Sequence, residues 1–330
     1  MSFRIFRADG FFARQVKFQL QNKVLETPVY FPAVSSYGTE KAMNYVKFLM
    51  RINHPYMLIS AYDFFHTFES QPSLVAKIND YPNKGNFLLV DSGGYERKWN
   101  NDEDWDFDIY KKTIEKINAD IYASLDLMEP KVSRKISFDR IKKSNEVKPT
   151  SQYIPIFDGT TSKSLIENIE TFFKSYPNFF LKFLAIRERD CGVTITEKAS
   201  TIFNIRKIID KIKGDHILHV LGCGHPINIA LYSFYGADSF DSADWYRKTL
   251  DTQNLILREF AHLQLLNCNC SSCTVSEKQK LDPYSKTLAH NLSGYLEFMK
   301  KIQELIRKNQ LENFLLSNGI PKEIMKKIQS

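Results

Sequence analysis

The sequence predicts an α/β fold: a (β/α)8 barrel of the TIM type, preceded by a β-hairpin and followed by a small helical subdomain. Three observations carry this reading. Eight short apolar or β-branched runs each end in small or acidic residues, stretches of helical periodicity separate them, and the unit recurs at intervals of about thirty residues. Runs that are apolar along most of their length suit a parallel sheet covered on both faces, and eight alternations favour closure over an open doubly wound sheet.

Taken in order, Phe11 to Glu26 alternates polar and apolar residues around Gln21-Asn22-Lys23, as a hairpin does, and is expected to plug one end of the barrel. The eight strands follow: Val29 to Ser35, Tyr56 to Tyr62, Asn86 to Asp91, Asp120 to Asp126, Tyr153 to Asp158, Phe179 to Ile186, His216 to Cys223 and Ala237 to Ser242. Helical spacing of apolar residues marks Phe107 to Ala119, Ser162 to Ser175, Glu197 to Lys213 and Pro226 to Tyr235. Two lysine-rich amphipathic stretches, Pro283 to Asn309 and Pro321 to Gln329, close the chain. With no Pro/Gly/Ser-rich linker, the expected division is a barrel with its hairpin over 1–260 and a subdomain over 261–330 packed on it.

Composition narrows the class. At 43% hydrophobic and 25% charged residues the chain is neither disordered nor fibrous. A balance of 45 basic against 38 acidic residues, +7, suits a polyanionic partner without requiring one. No apolar run reaches the roughly 18–20 residues that cross a bilayer, and no secretory leader opens the chain, so a soluble cytoplasmic protein with no membrane partner is expected.

Four of the eight strands end in aspartate: Asp91, Asp126, Asp158 and Asp241. One such residue is ordinarily a helix cap or turn former. Four around the C-terminal mouth of a barrel, where the βα-loops converge, form a group whose mutual repulsion drives their pKa values apart. Asp91 opens Asp91-Ser92-Gly93-Gly94-Tyr95-Glu96, in which paired glycines let the backbone approach a ligand and Tyr95 offers an aromatic face. Leu221-Gly222-Cys223-Gly224-His225-Pro226 leads from the seventh strand into a helix start, either a tight turn or a place where amides meet an anion.

Five cysteines are too few and too uneven for a disulfide framework, but Cys268, Cys270 and Cys273 crowd together and His290 follows seventeen residues later. Three thiolates and an imidazole describe a closed structural Zn2+ site, whereas an iron–sulfur cluster asks for a fourth cysteine. His216 and His219 read as core or surface residues. A basic stretch, Lys131, Arg134, Lys135, Arg140, Lys142, Lys143 and Lys148, is either a phosphate track near the mouth or a solvated helix face; Lys300, Lys301, Lys326 and Lys327 are a weaker track.

These motifs are where the chain resembles the queuine/archaeosine tRNA-guanine transglycosylases, zinc-containing (β/α)8 enzymes. Glu26-Thr27-Pro28-Val29-Tyr30-Phe31-Pro32 looks like the family's first-strand motif and Asp91-Ser92-Gly93-Gly94-Tyr95 like its signature loop. Leu221 to Pro226, Phe240-Asp241-Ser242, the three cysteines and His290-Asn291-Leu292 follow in family order. The resemblance implies exchange of a guanine in a polynucleotide for a 7-deazaguanine. Asp241 would be the nucleophile at the sugar C1′ and Asp91 the general acid/base. Asp126 would read the N1–H and 2-amino edge, Tyr95 and Leu221 would sandwich the base, and Ser92, Gly93, Asp158, Leu184 and Gly222 would complete the base site.

Departures from the family pattern set further expectations. Asp158 stands where tRNA enzymes have Gln, Lys182-Phe183-Leu184-Ala185 where they have Gly-Gly-Leu-Ala, and Glu96 where they have Gln. The spacer from Cys273 to His290 is short, Ala243-Asp244-Trp245-Tyr246-Arg247 replaces the anticodon-contacting segment, and no counterpart of the archaeal RNA-binding domains follows. The pattern is similar to the DpdA-type branch, which inserts bases such as preQ0 into DNA in phages and bacterial modification clusters. The expected partners are therefore DNA, or alternatively tRNA, and a 7-deazaguanine base, with Arg134, Lys135, Arg140, Lys142, Lys143 and Arg247 on the nucleic acid; a homodimer or modification-complex partners, in a bacterial or phage-infected cell, fit the same branch. Two rival readings are a non-catalytic nucleic-acid-binding subunit and an unrelated small-molecule barrel enzyme.

Overall fold

In the computed structural model, which describes residues 3–7, 12–37, 41–129, 132–179, 181–212, 214–260, 268–278 and 280–329, the eight apolar runs form one parallel sheet. Phe11, Lys131 and residues 261–267, at the expected start of the subdomain, lie outside that set. The barrel strands are β4 (Val29–Val34), β5 (Tyr56–Ser60), β6 (Phe87–Asp91), β7 (Ile121–Ala123), β8 (Gln152–Ile154), β9 (Ile156–Phe157), β10 (Phe183–Arg187), β11 (Ile217–Leu221) and β12 (Ser239–Ser242). Ahead of them come β1 (Phe3–Arg7), β2 (Arg14–Leu20) and β3 (Lys23–Glu26), and behind them β13 (Lys248–Asp251) and β14 (Ile256–Glu259).

The nine segments of the barrel run in the order β8-β7-β6-β5-β4-β12-β11-β10-β9. Its two ends, β8 and β9, are halves of the fifth predicted strand, so that run closes the barrel. Pro155 breaks it because proline has no N–H to give the ladder. Ser124 bridges the break: its N–H donates to the Ile154 carbonyl and its hydroxyl accepts from the Ile156 N–H, each at 2.9 Å. The Pro155 carbonyl then accepts from Ala185 N–H at 2.8 Å. The chain thus passes from β7 to β10 within one run. The sixth strand starts later than its apolar run, at Phe183, because Phe179 turns aside and sets its ring edge-on to Phe172 at 5.4 Å.

Alternation sorts the barrel residues. Phe31, Leu89, Ala123, Ile156, Phe183 and Ala185 pack inside, and Tyr30, Val90, Leu184 and Ile186 pack outward against the helices. The hairpin fills the end where the strands begin: Val16, Phe18, Leu20 and Leu25 join the interior set, and Phe18 meets Phe183 edge-on at 5.4 Å. The plug is therefore as expected, with β1 pairing antiparallel along β2 as an addition.

Two buried cations fasten this plug. Lys23 reaches Asp120 at 2.5 Å and the Asn86 carbonyl at 2.6 Å, below β7 and β6. Arg14 holds Asp238, the residue before β12, through Nε–Oδ1 and Nη2–Oδ2 contacts of 2.8 Å each. Arg206, from the helix Ile195–Ile209, reaches the same carboxylate at 2.5 Å, and Leu218 N–H donates to it at 2.8 Å. Burial alone would raise the Asp238 carboxyl, but the two guanidiniums hold it below the usual carboxylate range.

The C-terminal helix Pro283–Arg307 lies against the barrel, with Tyr295 stacked on Tyr30 at 4.0 Å and the Gln303 amide donating to the Pro28 carbonyl at 3.0 Å. Asp282 caps it by accepting from Ser285 N–H. The β13–β14 ribbon and the helix Leu311–Ser317 add to what the periodicity indicated. No helix among the described residues is long and apolar enough to cross a membrane.

Replacing Asp238 strands two buried guanidiniums, so Asp238→Asn should lower the unfolding free energy by about 3–5 kcal/mol in urea titrations. A loss below about 1 kcal/mol, the range of an exposed pair, would contradict this role.

Candidate active site

Where the barrel strands end, a cleft of about 350 Å3 opens, lined by Asp91, Ser92, Tyr95, Glu96, Asp126, Arg187, Leu221, Gly222, Asp241 and Arg247 among others. Three of the four strand-end aspartates therefore meet there. Asp241 is nearly buried, and its Oδ1 accepts from His219 Nε2 at 3.1 Å and from Gly222 N–H at 3.2 Å. The His219 Nδ1 lies 2.8 Å from the Ser239 hydroxyl, and the Asp241 carboxylate, which only accepts, places a hydrogen on Nε2. Oδ2 has no protein partner among the described residues, leaving one oxygen anchored and the other open to the cleft. Gly222 sits at φ +77°, a left-handed conformation that suits glycine and aims its N–H at the carboxylate.

Asp91 ends β6, and its Oδ2 accepts from Gly93 N–H at 3.3 Å. Burial, then the charges of Glu96 and Asp241, push its carboxyl up to about 7. Behind it two more carboxyls are buried without a cation partner among the described residues. Glu96 accepts from the hydroxyls of Ser35 and Ser60, and burial with the nearby Asp63 raises it to about 7. Asp63 accepts from Ser36 N–H at 2.7 Å, and burial raises it to about 6. A Cβ at Gly93 would meet Tyr62 Cβ at 2.3 Å, and one at Gly94 would meet the Asp126 carbonyl at 1.9 Å, so the paired glycines let the signature loop nest between neighbours.

Asp126 lies three residues past β7 and is charge-balanced. Its Oδ1 accepts from Met128 N–H at 2.9 Å and its Oδ2 from Arg187 Nη1 at 3.0 Å. Tyr95 is exposed at the rim, its ring edge-on to Tyr37 at 4.7 Å, with the Arg189 guanidinium 5.7 Å from its centre. Arg247 lies over Tyr37 at 4.8 Å, and Trp99, 60% exposed, stands edge-on to the same ring at 4.5 Å.

Other expected residues sit elsewhere. Leu184 sends its side chain outward into the core beneath the helices, because strand alternation gives the cleft to Arg187 instead. Asp158 is outside the cleft lining, with its nearest donor the Ser137 hydroxyl at 3.4 Å; burial and the Asp126 charge raise its carboxyl. Most of the basic stretch lies on one helix, Arg134–Val147. Arg134 pairs with Glu167 and Arg140 with Glu129 at 2.9 Å each, Lys142 and Lys143 lie over the rings of Tyr176 and Phe107, and Lys148 donates to the Ile117 carbonyl. Lys135 is exposed on that helix. The turn at Gly224 serves packing, since a Cβ there would meet Asp244 Oδ2 at 2.2 Å.

His219, Arg187, Tyr37 and Trp99 escaped the sequence reading. Two were findable. His219 precedes Leu221 by two residues on one strand and so faces the same side, and Arg187 directly follows the sixth run, where carboxylates alone were sought.

The ligand atoms of Cys268, Cys270, Cys273 and His290 all lie within 4.8 Å of one another. His290 Nδ1 is 3.5 Å from Cys270 Sγ and 3.4 Å from Cys273 Sγ, while its Nε2–H donates to the Leu250 carbonyl at 2.7 Å. That outer hydrogen bond fixes the tautomer that leaves Nδ1 free to ligate. The cluster fits a tetrahedral structural metal. The next residue, Asn291, accepts from Leu250 N–H at 2.8 Å and donates to the carbonyls of Trp245 and Lys248 at 2.9 and 2.6 Å, tying the cluster to the chain just beyond Asp241.

A family model described as queuine tRNA-ribosyltransferase matches residues 9–317. Among curated proteins the chain is similar to the tRNA-guanine(15) transglycosylases of Thermococcus onnurineus, at 22% identity over 89% of this chain and 53% of that protein, and of Pyrococcus abyssi, at 23% over 94% and 55%. The corresponding protein of Nanoarchaeum equitans is 24% identical over 91% of this chain and 73% of its own length. The chain spans about half the length of the first two.

The raised carboxyls carry a stability signature. Folded Asp91, Asp63 and Glu96 keep protons up to about pH 6–7, where the unfolded chain has released them, so their contribution to stability falls as pH rises from about 4 to 7. Asp91→Asn should therefore raise Tm at pH 8 and leave it nearly unchanged at pH 4. Equal effects at both pH values would contradict the raised Asp91.

Proposed function

The chain belongs to the queuine tRNA-ribosyltransferase family, and from that premise we propose that it exchanges guanine in a nucleic acid for a 7-deazaguanine such as preQ0. The observation that carries this is the pairing of Asp241, with one oxygen anchored and one open, and Asp91, with a carboxyl near neutrality, in one cleft.

In the first displacement the open Oδ2 of Asp241 attacks the sugar C1′. The C1′–N9 bond breaks, its electrons leave with the base, and the Asp91 carboxyl gives that base a proton. In the second, the Asp91 carboxylate takes the N9 proton of the incoming base, N9 attacks C1′, and the Asp241–sugar bond breaks to return the carboxylate. One group acts as acid and then base, which is served best by a pKa near the working pH. His219 and Gly222 orient Asp241 by donating to its other oxygen. Leu221 and Tyr95 offer faces for the extruded base, which needs stacking surface in place of its neighbours.

DNA is the proposed polymer. Its support is that Asp91 and Asp241 are kept while Asp158, Lys182 to Ala185 and Ala243 to Arg247 depart from the pattern of tRNA enzymes. The rim of Tyr37, Tyr95 and Trp99 with Arg189 and Arg247 suits stacking on unpaired bases beside phosphates. A tRNA substrate is the second reading, favoured by the names of the relatives. A non-catalytic subunit is disfavoured because both aspartates stand in the cleft.

For the Cys3His cluster we propose zinc, which would hold Cys268, Cys270, Cys273 and His290 in a closed shell and supply structural rigidity.

The test is incubation with preQ0 and, separately, duplex DNA, single-stranded DNA and tRNA, followed by mass spectrometry of the nucleosides; product in tRNA alone would sink the DNA reading. Asp241→Asn should abolish the covalent adduct with an oligonucleotide, and an undiminished yield would remove it as nucleophile. Asp91→Ala should lower kcat by about 10²–10⁴-fold with nucleic-acid binding spared, and equal losses in both would remove it as acid/base. Elemental analysis should find one zinc per chain, lost in Cys270→Ser; an unchanged content would argue against the cluster.

A further inference from the structure

Arg187 ends β10, and strand alternation turns its side chain inward with Phe183 and Ala185, to the cleft. Its Nε donates to Asp190 Oδ2 at 2.7 Å and its Nη1 to Asp126 Oδ2 at 3.0 Å. Of the guanidinium's five N–H donors, those on Nη2 find no hydrogen-bond partner among the described residues. The pocket therefore holds a carboxylate and a guanidinium side by side.

Guanine presents a matching edge. Its N1–H and 2-amino donors suit Asp126, the O6 acceptor comes next, and position 7 shares the edge of O6. A donor placed beside Asp126 thus lies toward O6 and whatever group position 7 carries. We infer that Arg187 selects the incoming base by its 7-substituent, donating to an uncharged or anionic acceptor such as a nitrile, carboxamide or carboxylate and excluding a cationic aminomethyl group. The inference rests on the base-exchange reading and adds to it the class of base. Exclusion follows from the fixed positive charge. Arg187 balances the charge of Asp126 and Asp190, and the base's N1–H and 2-amino donors take the remaining acceptor sites of Asp126, so a second cation at position 7 of a base in this partly dry cleft would meet the guanidinium with both carboxylates already balanced. Asp158 adds its charge to the field around the same guanidinium, and burial and the Asp126 charge raise its carboxyl. Glu188, also in the cleft lining, has Oε1 taken by Asn228 and Tyr232 and its charge countered by Lys198 at 3.5 Å.

Calorimetry with two free bases, 7-cyano-7-deazaguanine and 7-aminomethyl-7-deazaguanine, tests the inference. The unaltered protein should bind the cyano base at least about tenfold more tightly, Arg187→Gln should shrink that ratio by about tenfold or more, and Arg187→Lys, which keeps the charge, should preserve it. The ratio is taken within one protein, so a loss of folded material cancels. A preference for the aminomethyl base, or a ratio unmoved in Arg187→Gln, overturns the inference while base exchange stands. If neither base binds and no adduct forms at Asp241, the base-exchange reading falls and this inference with it.

Discussion

The carboxylate of Asp238, gripped by Arg14 from the plug and Arg206 from the helix layer, fixes the strand that carries Asp241. It lies immediately before β12 and accepts from Leu218 N–H as well, so the same atoms set the register of β12 against β11. Desolvating three charges is costly, and such a group gives little net stability over an apolar substitute. What it supplies is position. Three residues on, Asp241 stands across from His219 and Gly222, and its hydrogen bonds to both depend on that register.

Carboxylates in this barrel fall into two electrostatic settings. Asp238 and Asp126 have guanidinium partners at hydrogen-bond distance, and the two on Asp238 hold its carboxyl below the usual range. Glu96 and Asp63 are buried against serines and half-buried Asp91 takes the Gly93 N–H, none with a cation partner among the described residues, and desolvation moves all three toward neutrality. Hydroxyls suit that setting because they can accept from a protonated carboxyl as readily as they donate to an anion. Two aspartates in one cleft thereby acquire different chemistry from their surroundings alone, one anchored through its Oδ1 and the other exchanging a proton near pH 7.

The features legible in the sequence were those with a period or a fixed spacing. Eight apolar runs gave eight barrel strands, and the Cys-x-Cys-x2-Cys pattern with His290 gave the cluster, since both rest on local rules that distant residues do not overturn. Side-chain orientation was less legible. The resemblance suggested Leu184 at the base, yet its position in β10 points it outward; one residue's shift along a strand reverses the face. For basic residues 134–148 the sequence left phosphate track and helix face both open, because the chain text does not show that Glu167, Glu129, Tyr176 and Phe107 lie opposite them. Those partners come from other elements.

The metal cluster lies outside the cleft, and its bearing on the site runs through one helix turn. His290 and Asn291 are adjacent, and between them they take both the N–H and the carbonyl of Leu250 along with the carbonyls of Trp245 and Lys248. Trp245 in turn donates its indole N–H to the Ala33 carbonyl at 2.9 Å, beside β4. The chain leaving β12 is thus pinned within a few residues of Asp241 by groups that a bound metal would immobilise. Asp238 secures the strand from below and this clamp secures it from above, so the strand that carries Asp241 is held at both ends while the aromatic rim of the cleft stays open.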